Sequence, residues 1–343
     1  MAHRKDFIIV STLAVTVACV GLWFHVHAIK ARAARLEHIV APAPYFPAGS
    51  VWTQDISRAP LDPQSSAMIA TLAKAGGWGT GKMRVDFSIR VLQADASTPK
   101  VPFRKAANFY EKDSDDVDTI PLPKGGGAEQ QSGYKCPLDK DDCHLLVVDR
   151  AQNRLYELFQ ANETDDAIEA QFVGVWDLTR VYPLSGRGDQ CTSADAAGFP
   201  VAPLLFNAEE LATGSINHAI RFILPNQRIR AGVFVHPATH GGGPKGPGSA
   251  LPYGAHLRLK GSYDISRLKP AARIVALAMQ KYGIFLSDSG NIALTAQNDA
   301  DTPVKYADVD FNTHDLQSLT VTDFEVLDSG RPIALTYDCV RNR

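Results

Sequence analysis

The chain has 343 residues, 45% of them hydrophobic, with 35 basic and 37 acidic side chains and a formal net charge of −2. That length allows one to three domains, and the apolar share is enough for a sizeable core. The balanced charge lacks the basic footprint of a nucleic-acid binder, and 26 glycines with 21 prolines favour turns and short strands over a helical bundle.

The first thirty residues stand apart from the rest. Phe7 to Phe24 carries no charge, and Arg4 and Lys5 precede it. Those 18 residues, as a helix rising ~1.5 Å each, would span roughly 27 Å, close to a hydrocarbon core. A cleavable signal has a shorter apolar stretch of ~7–15 residues, so residues 1–30 read as a membrane anchor, with a signal segment ending near Ala28 as the alternative. The expected location is therefore membrane-anchored and facing the periplasm or the extracellular space, or secreted if the segment is cut. Residues 31–50, with Ala41-Pro42-Ala43-Pro44, read as a linker, and 51–343 as a single β-rich extracytoplasmic domain.

Within that domain Ala67 to Ala75 reads as a short helix with Ser65 as its cap, stopped by Gly76-Gly77. Lys82 to Leu92 alternates apolar and polar residues as a strand with one buried face does. A long irregular stretch follows over 93–142. His144–Asp149, Leu155–Gln160 and Ala170–Leu178 read as strands, the first two joined in a hairpin at Asn153. Ala219–Leu224, Gly232–His236 and Leu257–Leu259 are further strands. Pro270 to Tyr282 has one broad apolar face and Gly283 at its C-terminal cap, which predicts a helix. Ile284–Asp288, Asn291–Thr295 and Phe324–Leu327 close the series. Strands outnumber helices, so the expected class is mainly β, a β-sandwich or jelly-roll-like body with a few short helices.

Cys19 lies in the apolar segment; Cys136, Cys143, Cys191 and Cys339 form an even set in the domain, the pattern of disulfides in an exported chain. A local Cys136–Cys143 bridge would leave Cys191 to tie Cys339 to the middle of the domain.

The chemistry-bearing positions are scattered. The run Arg187 to Gly198 is dense in small polar residues and offers Thr192, Ser193 and Asp195 either to a ligand or to its own turn. His218, His236 and His240 fall near strand ends. The His236/His240 spacing lacks the helix and the glutamate of a zincin, and a metal site assembled from loops would need His144 or Asp142 as well. Glycosidic cleavage needs two carboxylates, and Glu129, Asp149, Glu157, Asp177, Asp195, Glu209, Glu210, Asp264 and Asp288 are available. Trp52, Trp78, Trp176, Tyr134 and Tyr182 are either sugar-stacking platforms or core. No nucleophile elbow, dinucleotide fingerprint or P-loop occurs, and the sequence designates neither a cofactor nor a metal ligand.

Taken in order, the strings Cys143-His144-Leu145-Leu146-Val147-Val148-Asp149, Leu155-Tyr156-Glu157-Leu158, Val175-Trp176-Asp177-Leu178, Thr192-Ser193-Ala194-Asp195-Ala196-Ala197-Gly198, His218-Ala219-Ile220-Arg221-Phe222, Pro237-Ala238-Thr239-His240, Arg258-Leu259-Lys260 and Lys281-Tyr282-Gly283 resemble a largely uncharacterised family of secreted bacterial proteins. The likeness covers roughly residues 52–328. It implies export and one β-rich domain, and because members sometimes carry carbohydrate-binding modules it points to glycans. The family pattern of Pro-x-Pro, an acidic Glu with two glycines, then Asp-Arg-His is altered here. Pro121-Leu122-Pro123 leads to Glu129, but Gln130-Gln131 replace the glycines and Cys143 replaces the Arg. The expectation that follows is an envelope protein that acts on or binds carbohydrate, a glycan hydrolase or a non-catalytic glycan-binding or structural module. Glu210 and Asp195 are the expected acid/base and nucleophile, with Glu129, Asp142, His144, Ser193, His218, Arg221 and His240 around the substrate. The expected partners are a glycan or cell-wall polysaccharide and, through the N-terminal segment, a membrane.

Overall fold

A computed structural model describes residues 39–40, 42–137 and 142–342. The expected anchor, Cys19 and the first part of the linker lie outside the described residues. Among the described residues no helix is long and apolar enough to cross a membrane. By its contacts the chain separates into Met1–Ala41 and Pro42–Arg343, and all the elements named below belong to the second unit.

The strands, in chain order, are β1 (Val85–Ile89), β2 (Val91–Ala94), β3 (Lys100–Lys105), β4 (Thr119–Pro121), β5 (Leu145–Asp149), β6 (Arg154–Phe159), β7 (Asn162–Glu163), β8 (Ile168–Ala170) and β9 (Phe172–Asp177). They continue with β10 (Ile220–Leu224), β11 (Ile229–Phe234), β12 (Leu251–Tyr253), β13 (His256–Leu259), β14 (Ile284–Ser289), β15 (Leu294–Gln297), β16 (Phe324–Val326) and β17 (Ile333–Ala334). Among the described residues three α-helices join them, α1 (Ser65–Lys74), α2 (Ala208–Thr213) and α3 (Pro270–Lys281).

The mainly β class is as expected, and the strands gather in four sheets. One has six strands in the order β1-β15-β10-β14-β13-β16; two have four, β2-β5-β6-β9 and β4-β3-β8-β7; one has three, β12-β11-β17. A jelly roll pairs its strands antiparallel. Here β1 with β15, β10 with β14, β11 with β12, β2 with β5 and β3 with β8 run parallel. Parallel pairs need long crossovers, and these crossovers carry the helices and loops that build the site.

The stretch expected as one strand over 82–92 is two. It breaks at Arg90, so β1 joins the six-stranded sheet and β2 the β2-β5-β6-β9 sheet. Arg90 itself is half-buried, and its Nε and Nη2 donate to Asp301, each at 2.7 Å. The expected hairpin forms between β5 and β6, with Asn153 in the left-handed conformation that such a turn requires (φ 53°). β5 is buried along its whole length because both faces are covered. Leu145 and Val147 join Leu158, Ile120 and Ile168 in a core shared with the β4-β3-β8-β7 sheet. The stretch expected to be irregular over 93–142 holds β3 and β4, whose sequence Lys-Val-Pro-Phe-Arg-Lys hides a strand behind a proline and three charges.

Helix α3 matches its pattern, and Gly283 (φ 73°) follows its C-terminal residues; a Cβ there would lie 2.5 Å from His256 Nε2. Helix α1 differs in one respect. Ser65 is its first residue and does not cap it; its hydroxyl instead accepts the Val326 N–H at 2.8 Å and ties the helix to β16. The disulfides Cys136–Cys143 and Cys191–Cys339 are both formed.

Candidate functional site

The loop 187–198 is held from three directions. Cys191 is bonded to Cys339. The Thr192 N–H donates to Asp113 Oδ1 at 2.7 Å. The Ala197 N–H donates to the carbonyl of Ser287 at 2.8 Å. That carbonyl is available because β14 bulges: Phe222 faces Leu286 and Ile223 faces Asp288, leaving Ser287 as the extra residue. Gly198 is required by close approach as well as by its φ of 79°, since a Cβ would meet Thr239 Oγ1 at 2.0 Å.

The bulge also aims Asp288 at the loop. Arg221, on the neighbouring β10, lies beneath and is 4% exposed. Its Nη2 donates to Asp195 Oδ2 at 2.6 Å, its Nε reaches the same oxygen at 3.2 Å and its Nη1 donates to Thr295 Oγ1 at 2.9 Å. Asp288 Oδ2 is 3.6 Å from that Nη2 and accepts the Ala196 N–H at 3.4 Å. Two carboxyls thus share one guanidinium. Asp195 is sealed, with its side chain 0% exposed, whereas the Asp288 side chain is 24% exposed and opens to solvent. Burial raises the pKa of both, and the guanidinium offsets this only in part. The two titrate as a pair, and burial makes the pair hold a proton more readily than either carboxyl would in water.

A second pair adjoins the first. His144 Nδ1 is 2.6 Å from Glu129 Oε2, and Nε2 is 2.7 Å from the Ala194 carbonyl. A carbonyl only accepts, so Nε2 carries a hydrogen, and Nδ1 shares one with the carboxylate. Burial alone would lower the pKa of His144, but the hydrogen bond and charge of Glu129 outweigh it and lift the ring to about 9. Glu129 is buried too, yet the charge of His144 and the hydroxyl of Ser88 hold it at about 2. The ligand atoms of Glu129, Asp142 and His144 lie within 4.8 Å of one another. A metal there would need a lone pair on His144, and both ring nitrogens are committed as donors.

These groups line or underlie a cleft of about 180 Å3, walled by Tyr110, Asp142, Phe159, Thr192, Ser193, Ala194, Ala196, His240, Gly242 and Asp288. His240 Nδ1 is 2.9 Å from the Ala196 carbonyl and therefore donates to it, which leaves Nε2 as a bare acceptor on a ring lining the cleft. Burial lowers the pKa of His240, so the ring is neutral at neutral pH.

The expected site residues therefore fall into groups. Glu129, Asp142, His144, Ser193, Asp195, Arg221 and His240 come together around this cleft, Ser193 with its hydroxyl spent on its own turn (Phe199 carbonyl at 2.5 Å, Asp195 carbonyl at 3.0 Å). Glu210 and His218 pair elsewhere. Glu210 completes a capping box on α2, with Asn207 N–H donating to Oε2 at 3.0 Å, and its Oε1 takes His218 Nε2 at 3.1 Å. The other His218 nitrogen meets the Ala219 carbonyl at 2.8 Å. Neither residue lines the cleft. The expected pairing of Glu210 with Asp195 is thus replaced by two separate networks that share no hydrogen-bonding partner. His236 likewise parts from His240 and pairs with Asp189 at 2.9 Å.

Trp52, Trp78 and Trp176, considered as sugar platforms, are core residues at 7%, 1% and 2% exposure; the aromatic rings at the cleft are Tyr110 and Phe159. Among the nine carboxylates weighed from sequence, Asp288 was the one to single out. Its signal was a polar Ser-Asp-Ser-Gly end on an otherwise apolar strand. Glu157 is fully buried and structural, accepting from Trp176 Nε1, Val201 N and Ala202 N at 2.8–2.9 Å; burial pushes it to about 7.

In comparisons with family models, curated proteins and solved structures, nothing matches the chain. The reading of the cleft rests on its own geometry.

Proposed function

We propose that the protein is an exported glycan hydrolase whose acid is Asp288. The observation that carries this reading is a solvent-open carboxyl that shares Arg221 with the buried Asp195, in a cleft where a second carboxylate, Asp142, stands in the wall. A glycosidic bond breaks when one carboxylic acid protonates the leaving oxygen and a carboxylate on the other side acts as base or nucleophile. Asp288 suits the first role, because burial raises its pKa. Asp142 is exposed and takes the second. His240 Nε2 accepts from a sugar hydroxyl, and Tyr110, 43% exposed, offers a ring face to the sugar.

This reading moves the acid from Glu210, whose carboxylate is occupied by α2 and His218, and makes Asp195 the buried carboxyl that shares Arg221 with the acid. The two disulfides fit an oxidising compartment, which supports export, and the apolar segment at 7–24 supports a membrane attachment.

The test incubates the full chain and its Asp288→Asn variant with plant and bacterial polysaccharides and follows released reducing ends. Release by the parent, reduced about 10²–10⁴-fold in the variant, is the expected result for loss of a general acid. Capture of a glycan without release by either protein would replace hydrolysis by binding. No release and no capture would end the carbohydrate reading.

A further inference from the structure

A second pocket shares the segment 110–115 with the cleft, Tyr110 lining the cleft and Asp115 the pocket. It has a volume of about 240 Å3, is almost wholly polar, and is lined by Arg154, Arg180, Arg187 and Arg341 against Asp115 and Asp177. Four cations against two anions leave a surplus of two positive charges.

The two carboxylates are already spent. Asp115 Oδ2 accepts Val175 N at 2.7 Å and Arg187 Nη2 at 2.9 Å, and its Oδ1 accepts from Arg341 Nη2. Asp177 takes Arg154 Nη1 at 2.5 Å, together with the backbone and hydroxyl of Thr179 at 2.9 and 2.6 Å. Arg180 has no carboxylate among the described residues and rests over the ring of Tyr182 at 4.9 Å. Arg187 is the least satisfied. It is 5% exposed, stacked between Phe172 (5.2 Å) and Trp176 (5.6 Å), and its Nε and Nη1 donate to nothing. Burial lowers its pKa, the mark of a cation short of negative charge around it.

A pocket of this kind lacks one thing, an anion. From the arginine surplus and the spent carboxylates we infer that this pocket binds a compact oxyanion, the carboxylate or sulfate group of an acidic ligand, with Arg180 as the mobile clamp and Arg154 and Arg187 as its fixed field. Guanidinium groups match such oxygens with paired N–H donors. The inference does not depend on hydrolysis in the cleft.

Isothermal titration calorimetry at low salt tests it, using the full chain with sodium glucuronate, inorganic sulfate and neutral glucose. The expected result is saturable millimolar binding of at least one anion and none of glucose. Arg180→Ala should weaken the anion about fivefold, the range of a half-exposed charge-assisted contact. Arg180→Glu should abolish it. Arg267→Glu, the same change of net charge at a residue 85% exposed outside the pocket, should leave it unchanged. Tighter glucuronate assigns a carboxylate, and tighter sulfate a sulfate ester. Failure of both anions to saturate, or equal losses in the Arg180→Glu and Arg267→Glu proteins, would overturn the inference.

Discussion

Two buried carboxylate–cation networks, alike in their parts, do different things in this molecule. Glu210 with His218 is closed: each oxygen and each ring nitrogen has a partner, and the pair fixes the start of α2. Asp195 with Arg221 is equally buried but open at one end, where Asp288 shares the guanidinium and meets the cleft. Count the charges and the contrast sharpens. Asp195 and Asp288 share one guanidinium, and burial raises the pKa of both, so this pair has more carboxyl than cation to hold it ionised. A satisfied ion pair is a structural device. One carrying an extra, solvent-reaching carboxyl has a proton to give.

The largest expected effect breaks the open network at its base. Asp195→Asn removes the charge that Arg221 was built around and leaves a guanidinium buried without its anion. That should cost about 3–5 kcal/mol of stability, the usual penalty for one partner of a buried pair. Urea denaturation followed by circular dichroism measures it. A loss below about 1 kcal/mol would mean that Asp288 or water replaces Asp195 readily, and that Arg221 does not depend on Asp195.

The next effect is in pH. Glu129 titrates at about 2 when folded against an ordinary 4.5, and His144 at about 9 against 6.5. A depressed carboxylate contributes stability above its unfolded value, lost as pH falls from 4.5 towards 2. A raised histidine contributes below 6.5, lost as pH climbs through 9. The pair therefore stabilises fully between about pH 4.5 and 6.5, by about 3 kcal/mol, since each pKa unit is worth ~1.4 kcal/mol. Because the two shifts describe one interaction, they are not added. Glu129→Gln should flatten both limbs of the stability–pH curve. Limbs that persist in that variant would assign them to groups other than this pair.

Much of this was legible in the sequence, and the boundary is physical. Alternation and turn residues marked β5, β6, β9 and β14 because each strand's burial is written locally, and an even cysteine set announced two bridges. The loop 187–198 was conspicuous because a turn satisfied by its own side chains needs small polar residues in a row. What stayed hidden is pairing. Nothing in the string places Asp195 over Arg221 or leaves Glu210 to cap a helix, since both facts depend on which strands lie side by side. The parallel pairs β10–β14 and β2–β5 are long-range contacts with no local signature, and the bulge at Ser287 that aims Asp288 exists only once β10 and β14 are in register.

The smallest effect is the one that separates the two networks most cleanly. Glu210→Gln keeps a side chain able to cap α2, because glutamine serves at that position of a capping box. Its carbonyl oxygen can keep the Asn207 N–H and its NH2 can donate to His218 Nε2 of a neutral ring, so the charge of the pair is lost and the contacts at 3.0 and 3.1 Å become neutral ones. The expected cost is about 1–2 kcal/mol, a fall of roughly 2–4 °C in melting temperature per kcal/mol for a domain of this size. Activity per folded molecule should not change, because no atom of the closed network reaches the cleft. Calorimetric melting alongside the reducing-end assay reads both quantities on one preparation. A variant that melts like the parent but releases nothing would reverse the assignment, returning the acid to Glu210 and leaving Asp288 as its structural counterpart.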